Sequence, residues 1–140
     1  MTGERSWHFL GGPGSWPYRV FDAQRRRLNR WLVDHLLSRT VLAGDECVLE
    51  AGSGPGYGSS LFARHPAVRL SIALDCDSEA LQEARRRDPS LLVVLGDVRR
   101  LPFRSDVFDV VWSSSTLEHV VQPSHALGEM QRVTRAGGHV

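Results

Sequence analysis

The stretch "VLEAGSGPGYG", Val48 to Gly58, sets four glycines (Gly52, Gly54, Gly56 and Gly58) directly after a short apolar run. An apolar strand that ends in alternating glycines marks a place where the backbone must be bare, to turn sharply or to let a ligand come close. A dinucleotide fingerprint needs Gly-x-Gly-x-x-Gly, and the position of its third glycine is Tyr57 here. A phosphate-cradling P-loop needs Gly-Lys-Ser/Thr, and the chain has no lysine at all: its 17 basic residues are all arginine. Both phosphate readings of the loop fail on named residues.

On either side of this loop the pattern alternates. "CVLEA" is a short apolar strand running into the glycines, and "GSSLFARH" starts a helix on small polar residues that stops at Pro66. "VRLSIALD" is a second strand, followed by a helix from Ser78 to Arg87. "LLVVLGD" is a third, a continuous apolar run of the kind expected where both faces are covered, and "FDVVW" is a fourth. Ala126, Leu127, Met130 and Val133 give a helical face between Ser124 and Arg135, ended by Gly137 and Gly138. Upstream, Leu28, Trp31, Leu32, His35 and Leu36 recur at helical spacing between Asp22 and Ser38. Residues 1–21, rich in Gly, Pro and aromatics, read as an irregular lead-in able to cover a site. The expectation is an α/β fold: a Rossmann-like three-layer sandwich with a mainly parallel sheet and one domain over 22–140.

Composition agrees with one globular domain: 140 residues, 41% hydrophobic and 24% charged, leave room for a core and little for a second unit. No run reaches the length of a membrane span, and the first residues lack the apolar centre of a signal peptide, so a cytoplasmic address is the default. Cys47 and Cys76 read as small buried residues rather than a disulfide. A net charge of +1 argues against a dedicated nucleic-acid binder. The arginine clusters at 25–27 and 85–87 read as solvated helix faces, with a phosphate-binding patch as the alternative. The absence of lysine removes Schiff-base and lysine-base chemistry.

The motif Glu50-Ala-Gly52-Ser-Gly54-Pro-Gly56 resembles the first motif of the class I S-adenosylmethionine-dependent methyltransferases, an acidic residue followed by Gly-x-Gly-x-Gly. The resemblance extends through "IALDCDSEAL", "LGDVRRLPF", "LPFRSDVFDVVWSSSTLEHV" and "ALGEMQRVTRAGGHV", in order, over residues 48–140, with Arg135-Ala136 in place of the usual Lys-Pro. In flavour it is nearest the small-molecule branch that resembles ubiquinone and menaquinone biosynthesis methyltransferases. It implies that the cofactor is S-adenosylmethionine and that the acceptor is a small molecule. It further implies that Gly52, Gly54 and Gly56 let the backbone approach that cofactor, while Glu50 reaches its amino group, usually through water. Asp75 then accepts from the ribose hydroxyls; the alternative, a helix cap, suits Asp77 and Ser78 better. Asp97 accepts from the adenine amino group, Cys76 and Val98 lie beside these two carboxylates, and Ser113 presents its backbone carbonyl to the cofactor's amino group.

His119, in the Leu-Glu-His-Val block after the fourth strand, is the candidate general base; the alternative is a structural residue of that turn. Related enzymes with a metal carry a Glu where this chain has Ser115, so no catalytic metal is expected. Tyr18 and Arg19 could close over the site or bind the cofactor's carboxylate, with surface packing as the alternative. The family's sheet has seven strands in the order 3-2-1-4-5-7-6, and this chain stops as the fifth begins at "GGHV". The expectation is therefore the N-terminal portion of a longer enzyme whose apolar sheet edge is open to self-association. The alternative is a complete short protein that binds cofactor without catalysing, or pairs with a partner.

Overall fold

The computed structural model describes residues 15–40 and 42–140. Its elements in chain order are α1 (Trp16–Arg39), β1 (Glu46–Ala51), α2 (Tyr57–Ala63), β2 (Val68–Asp75), α3 (Ser78–Arg87), β3 (Leu92–Leu95), β4 (Phe108–Trp112), a short 3-10 turn at Leu117–His119, α4 (Pro123–Val133) and β5 (Thr134–His139). One sheet holds all five strands in the order β3-β2-β1-β4-β5, with every pairing parallel. This is the α/β class expected.

β1 lies at the centre and is buried along its whole length. Its alternate side chains split the core in two, as a period of two requires. Cys47, Leu49 and Ala51 join Leu74, Phe108 and the α4 residues Ala126, Met130 and Val133 on one face. Val48 joins Val110, Val33 of α1 and Phe62 of α2 on the other. Helices thus cover both faces, and the strand C-termini are left free at one edge, where ligands bind in such sheets.

Several boundaries differ from expectation. The lead-in is not irregular up to residue 21: α1 begins at Trp16, capped by Ser15, whose hydroxyl accepts from the Tyr18 N–H at 3.3 Å. Pro17 in the first turn favours the start, since its missing N–H would find no helical partner there. Tyr18 and Arg19 therefore lie on a helix, and residues 1–14 fall outside those described. The buried face of α1 is also rotated. Asp22, Asn29 and Val33 are inside, while Leu28 and Trp31 are 46% and 61% exposed and His35 is exposed. A polar network around Asp22, described below, outweighs the apolar periodicity in deciding which side turns inward.

β3 is not covered on both faces. It is an edge strand, and Leu92 and Leu95 are 51% and 63% exposed. α2 stops at Ala63 rather than Pro66. α4 stops at Val133, its Leu127 is exposed, and Gly137 and Gly138 lie inside β5 rather than capping the helix. Both positions suit glycine there: Gly137 takes a φ of 79°, and a Cβ on Gly138 would sit 2.8 Å from the Asp109 carbonyl oxygen. β5 therefore covers the flank of β4 that was expected to stand open, and it does so with a polar strand, Thr134-Arg-Ala-Gly-Gly-His139. Its Arg135 reaches back to Asp109 at 2.6 Å. Cys76 is exposed rather than buried; both cysteines are free thiols.

Among the described residues no helix is long and apolar enough to cross a membrane.

Candidate functional site

The glycine loop leaves the C-terminal end of β1 with Gly52, Gly54 and Gly56 at φ of 79°, 51° and 70°, a left-handed conformation that side chains other than glycine resist. These three left-handed residues, at alternate positions, fold the loop's amides back on the sheet. The Gly52 and Ser53 N–H groups both donate to the Leu74 carbonyl, at 2.8 and 2.9 Å. Gly54 N–H donates to the Asp75 carboxylate at 2.7 Å, and Gly56 N–H donates to the Ser53 carbonyl at 3.0 Å. Pro55 has no N–H to offer. Every amide from Gly52 to Gly56 is thus engaged inside the protein, and none is left to cradle a phosphate.

Asp75, at the end of β2, accepts from Gly54 N–H through one oxygen and from Asp77 N–H, at 2.9 Å, through the other. A carboxylate has about four acceptor positions, so Asp75 retains capacity for further donors. Asp77 is the cap of α3, accepting from Glu79 and Ala80, which leaves Asp75 for other work. Beside it, Cys76 is held above its ordinary thiol pKa by desolvation and by the Asp75 charge.

From the other side of β1, two hydroxyls tie the segment after β4 to the loop. Ser113 Oγ donates to the Ala51 carbonyl at 2.9 Å, and Thr116 Oγ1 donates to the Gly52 carbonyl at 3.1 Å. Thr116 packs so closely that a Cβ on Gly52 would lie 2.3 Å from its side chain. Nothing lies within 4 Å of the Cβ position of Gly54, which faces open space. Gly52, Gly54, Asp75, Ser113 and Thr116 therefore share one edge. Thr116 gave no signal in sequence, because a lone hydroxyl in "SSST" has no spacing to mark it.

The remaining predicted residues are placed less simply. Asp97 follows β3, near Asp75, whose carbonyl accepts from Gly96 N–H at 3.0 Å. Its carboxylate is gripped by Arg99, whose Nε lies 3.0 Å from both oxygens, and that hydrogen bonding holds its pKa low. Val98 has its side chain in the core, so only its backbone is free to face a ligand.

Glu50 is 2% exposed and points under α2, where its carboxylate accepts from Ser59 N–H at 2.7 Å and Ser59 Oγ at 2.5 Å. Burial pushes its pKa up to about 7 against those bonds. His119, in the 3-10 turn, is exposed and has no side-chain partner among the described residues. The base candidate thus lacks the orienting hydrogen bond that usually fixes a catalytic imidazole.

A buried network behind the loop had no sequence signal. Asp22 of α1 accepts from the Tyr57 hydroxyl, from Arg26 and, at 2.7 Å, from Arg87. The Arg87 guanidinium also lies 4.8 Å from the centre of the Tyr57 ring. Tyr57, the residue that broke the dinucleotide fingerprint, thus anchors the first helix. Arg87, expected on a solvated face, is the residue that binds α3 to α1.

The donor set fits the expected S-adenosylmethionine in two respects. The loop keeps its amides to itself, as suits a cofactor without phosphate, and Asp75 and Asp97 present negative charge and acceptors to a cation with hydroxyl and amino donors. Asp97 would have to exchange Arg99 for the adenine.

A family model described as a methyltransferase domain matches residues 49–140. A malonyl-(acyl-carrier protein) O-methyltransferase of Herminiimonas arsenicoxydans is 43% identical over 94 residues, covering 67% of this chain and 35% of the relative. A demethylmenaquinone methyltransferase of Renibacterium salmoninarum is 36% identical over 115 residues, covering 82% of this chain and 46% of the relative. A protein solved in complex with the Haloferax volcanii Trm112 methyltransferase activator superimposes with a TM-score of 0.76 at 27% identity, covering 88% of this chain and 55% of that one. The chain spans about a third to a half of the length of these two curated relatives.

Proposed function

The chain belongs to this methyltransferase domain family, and from that premise we propose that the protein transfers a methyl group from S-adenosylmethionine to a small-molecule acceptor. The observation that carries the reading is the closed amide pattern of Gly52 to Gly56 set beside the Asp75 carboxylate. That pairing suits an unphosphorylated nucleoside cofactor and does not suit a dinucleotide. The names of the two relatives above, each acting on a small or carrier-borne acceptor, support the substrate class.

When bound, the cofactor supplies an electrophilic methyl on a sulfonium with a good leaving group. The protein's part is then to orient and exclude water. In this reading Asp75 takes the ribose hydroxyls with its remaining acceptor positions. Asp97 releases Arg99 to take the adenine amino group, and Cys76 and Val98 contribute backbone contacts alongside. Ser113 and Thr116 hold the segment after β4 against Ala51 and Gly52, fixing one wall of the site. Glu50 acts from beneath, keeping α2 and hence the loop in place through Ser59. His119 is the proposed base wherever the acceptor must lose a proton.

A second reading, a cofactor-binding module without turnover of its own, is favoured by the exposed, unpartnered ring of His119. Calorimetric titration with S-adenosylhomocysteine, with Asp75→Ala as the comparison, tests the cofactor assignment. Binding that Asp75→Ala weakens by about 1–3 kcal/mol, the range for losing a charged hydrogen-bond partner, is expected. A folded, monodisperse sample that does not bind would remove both readings. Binding without methyl transfer to any acceptor offered would favour the second.

A further inference from the structure

Between α1, the end of the glycine loop with α2, and the end of α3, the chain forms a cleft of about 400 Å³. Five arginines line it: Arg26, Arg27 and Arg30 from α1, Arg64 after α2, and Arg87 at the end of α3. Among the described residues no acidic side chain lines it. The carboxylates that reach these arginines from outside do not balance them. Arg26 and Arg87 share Asp22, Arg87 also pairs with Glu83 at 3.0 Å, and Arg64 stands 3.6 Å from Asp88, three carboxylates against five guanidiniums. Arg27 and Arg30 have no polar partner among the described residues. In a chain whose net charge is only +1, this is a strong local concentration of positive charge.

Members of the two sequence clusters that each read as a solvated helix face, Arg26 and Arg27 of one and Arg87 of the other, are thus brought to one cleft where α1 packs on α2 and meets α3. Guanidinium forks match the oxygens of carboxylates and phosphates in bidentate fashion, and a cluster of several uncompensated guanidiniums suits the larger charge of a phosphate dianion over a single carboxylate. A cleft of this size falls in the range of small-molecule sites and is far larger than a bare phosphate needs. Its other lining, Pro55, Leu61 and the Tyr57 side chain, is suited to carbon rather than charge.

We propose that this cleft binds the phosphate ester of a small organic molecule, with Arg27 and Arg30 taking the phosphate and the Pro55–Leu61 wall taking the organic part. The cleft adjoins the glycine loop through Pro55, Gly56 and Tyr57, but the phosphate contacts proposed, Arg27 and Arg30, are on α1 and are not among the residues assigned to the methyl donor.

The test is calorimetric titration of the chain, at low salt, with phenyl phosphate and separately with inorganic phosphate and with polyglutamate. The variants are Arg27→Gln/Arg30→Gln and, as a charge control outside the cleft, Arg85→Gln; all three side chains are exposed, and melting curves verify folding. Phenyl phosphate is expected to bind more tightly than inorganic phosphate. Its affinity should fall about 100-fold in the double variant, near tenfold per charge-assisted contact, and stay within twofold in Arg85→Gln. Equal affinity for the two probes would overturn the organic part in favour of free phosphate. No binding of either, an equal loss in Arg85→Gln, or binding of polyglutamate alone would overturn the proposal, the last in favour of an acidic protein surface.

Discussion

The carboxylate of Asp22, in the second turn of α1, and the guanidinium of Arg87, in the last turn of α3, meet at 2.7 Å across 65 positions of sequence. Asp22 also accepts from Tyr57 at the start of α2, so one carboxylate ties three helices together just behind the glycine loop. Desolvation pushes this carboxyl up, but the bonds from Tyr57, Arg87 and Arg26 outweigh it and hold its pKa below the ordinary value.

Replacing Asp22 with Asn should therefore cost about 2 kcal/mol at neutral pH, because it weakens three donors' acceptor and leaves the largely buried Arg87 with Glu83 as its one remaining counter-charge among the described residues. A carboxyl whose folded pKa is depressed stabilises above its unfolded value and loses that contribution as pH falls through the lowered one. The difference between wild type and Asp22→Asn should thus be full above about pH 5 and shrink progressively below pH 4. Urea unfolding at a series of pH values measures it. A pH-independent difference would mean that charge at Asp22 is not what holds the helices.

Glu50 behaves in the opposite sense. Its buried carboxyl is raised to about 7, so the folded state holds a proton that the unfolded chain releases near pH 4.5. Stability should fall as pH rises between those limits, by up to about 3 kcal/mol, and flatten above pH 7. Glu50→Gln keeps an acceptor for Ser59 and carries no charge, so its melting temperature should lose most of this decline. Calorimetric melts from pH 5 to pH 8 on both proteins would decide.

Gly52→Ala faces two obstacles: a φ of 79° and a Cβ 2.3 Å from Thr116. Backbone strain and overpacking together should cost about 2–4 kcal/mol. Thr116→Gly removes the clash but not the φ, so the double variant should lose less than the sum of the two single losses. Strict additivity in denaturant titrations would show that Thr116 does not press on the loop.

The Asp97–Arg99 pair is about half exposed on both sides, so solvent screening leaves it little weight in stability. Arg99→Ala should leave the unfolding midpoint nearly unchanged. With Asp97 freed of its partner, the protein should bind S-adenosylhomocysteine modestly more tightly, since the ligand no longer competes with Arg99 for the carboxylate. Weaker binding on titration would instead make Arg99 itself a contact of the cofactor.

The strand-helix alternation, the glycine loop and the carboxylates closing β2 and following β3 were all legible in the sequence. Each depends on short-range rules: apolar runs of strand length, glycine where φ turns positive, and Asp77 placed to cap α3 so that Asp75 is left over. What the sequence could not tell was decided between elements far apart in the chain. The inward face of α1 was misread because Leu28 and Trp31 keep helical spacing, whereas the tie from Asp22 to Tyr57 and Arg87 fixes the orientation. Gly137 and Gly138 looked like a helix stop, and only the packing of Thr134 and Asp109 around Gly138 makes them part of β5. Thr116 over Gly52, Glu50 turned beneath α2, and five arginines around one cleft likewise belong to the assembled fold. Local conformation follows from neighbouring residues, but the partner of a buried charge is set by which elements meet, and that is a property of three dimensions.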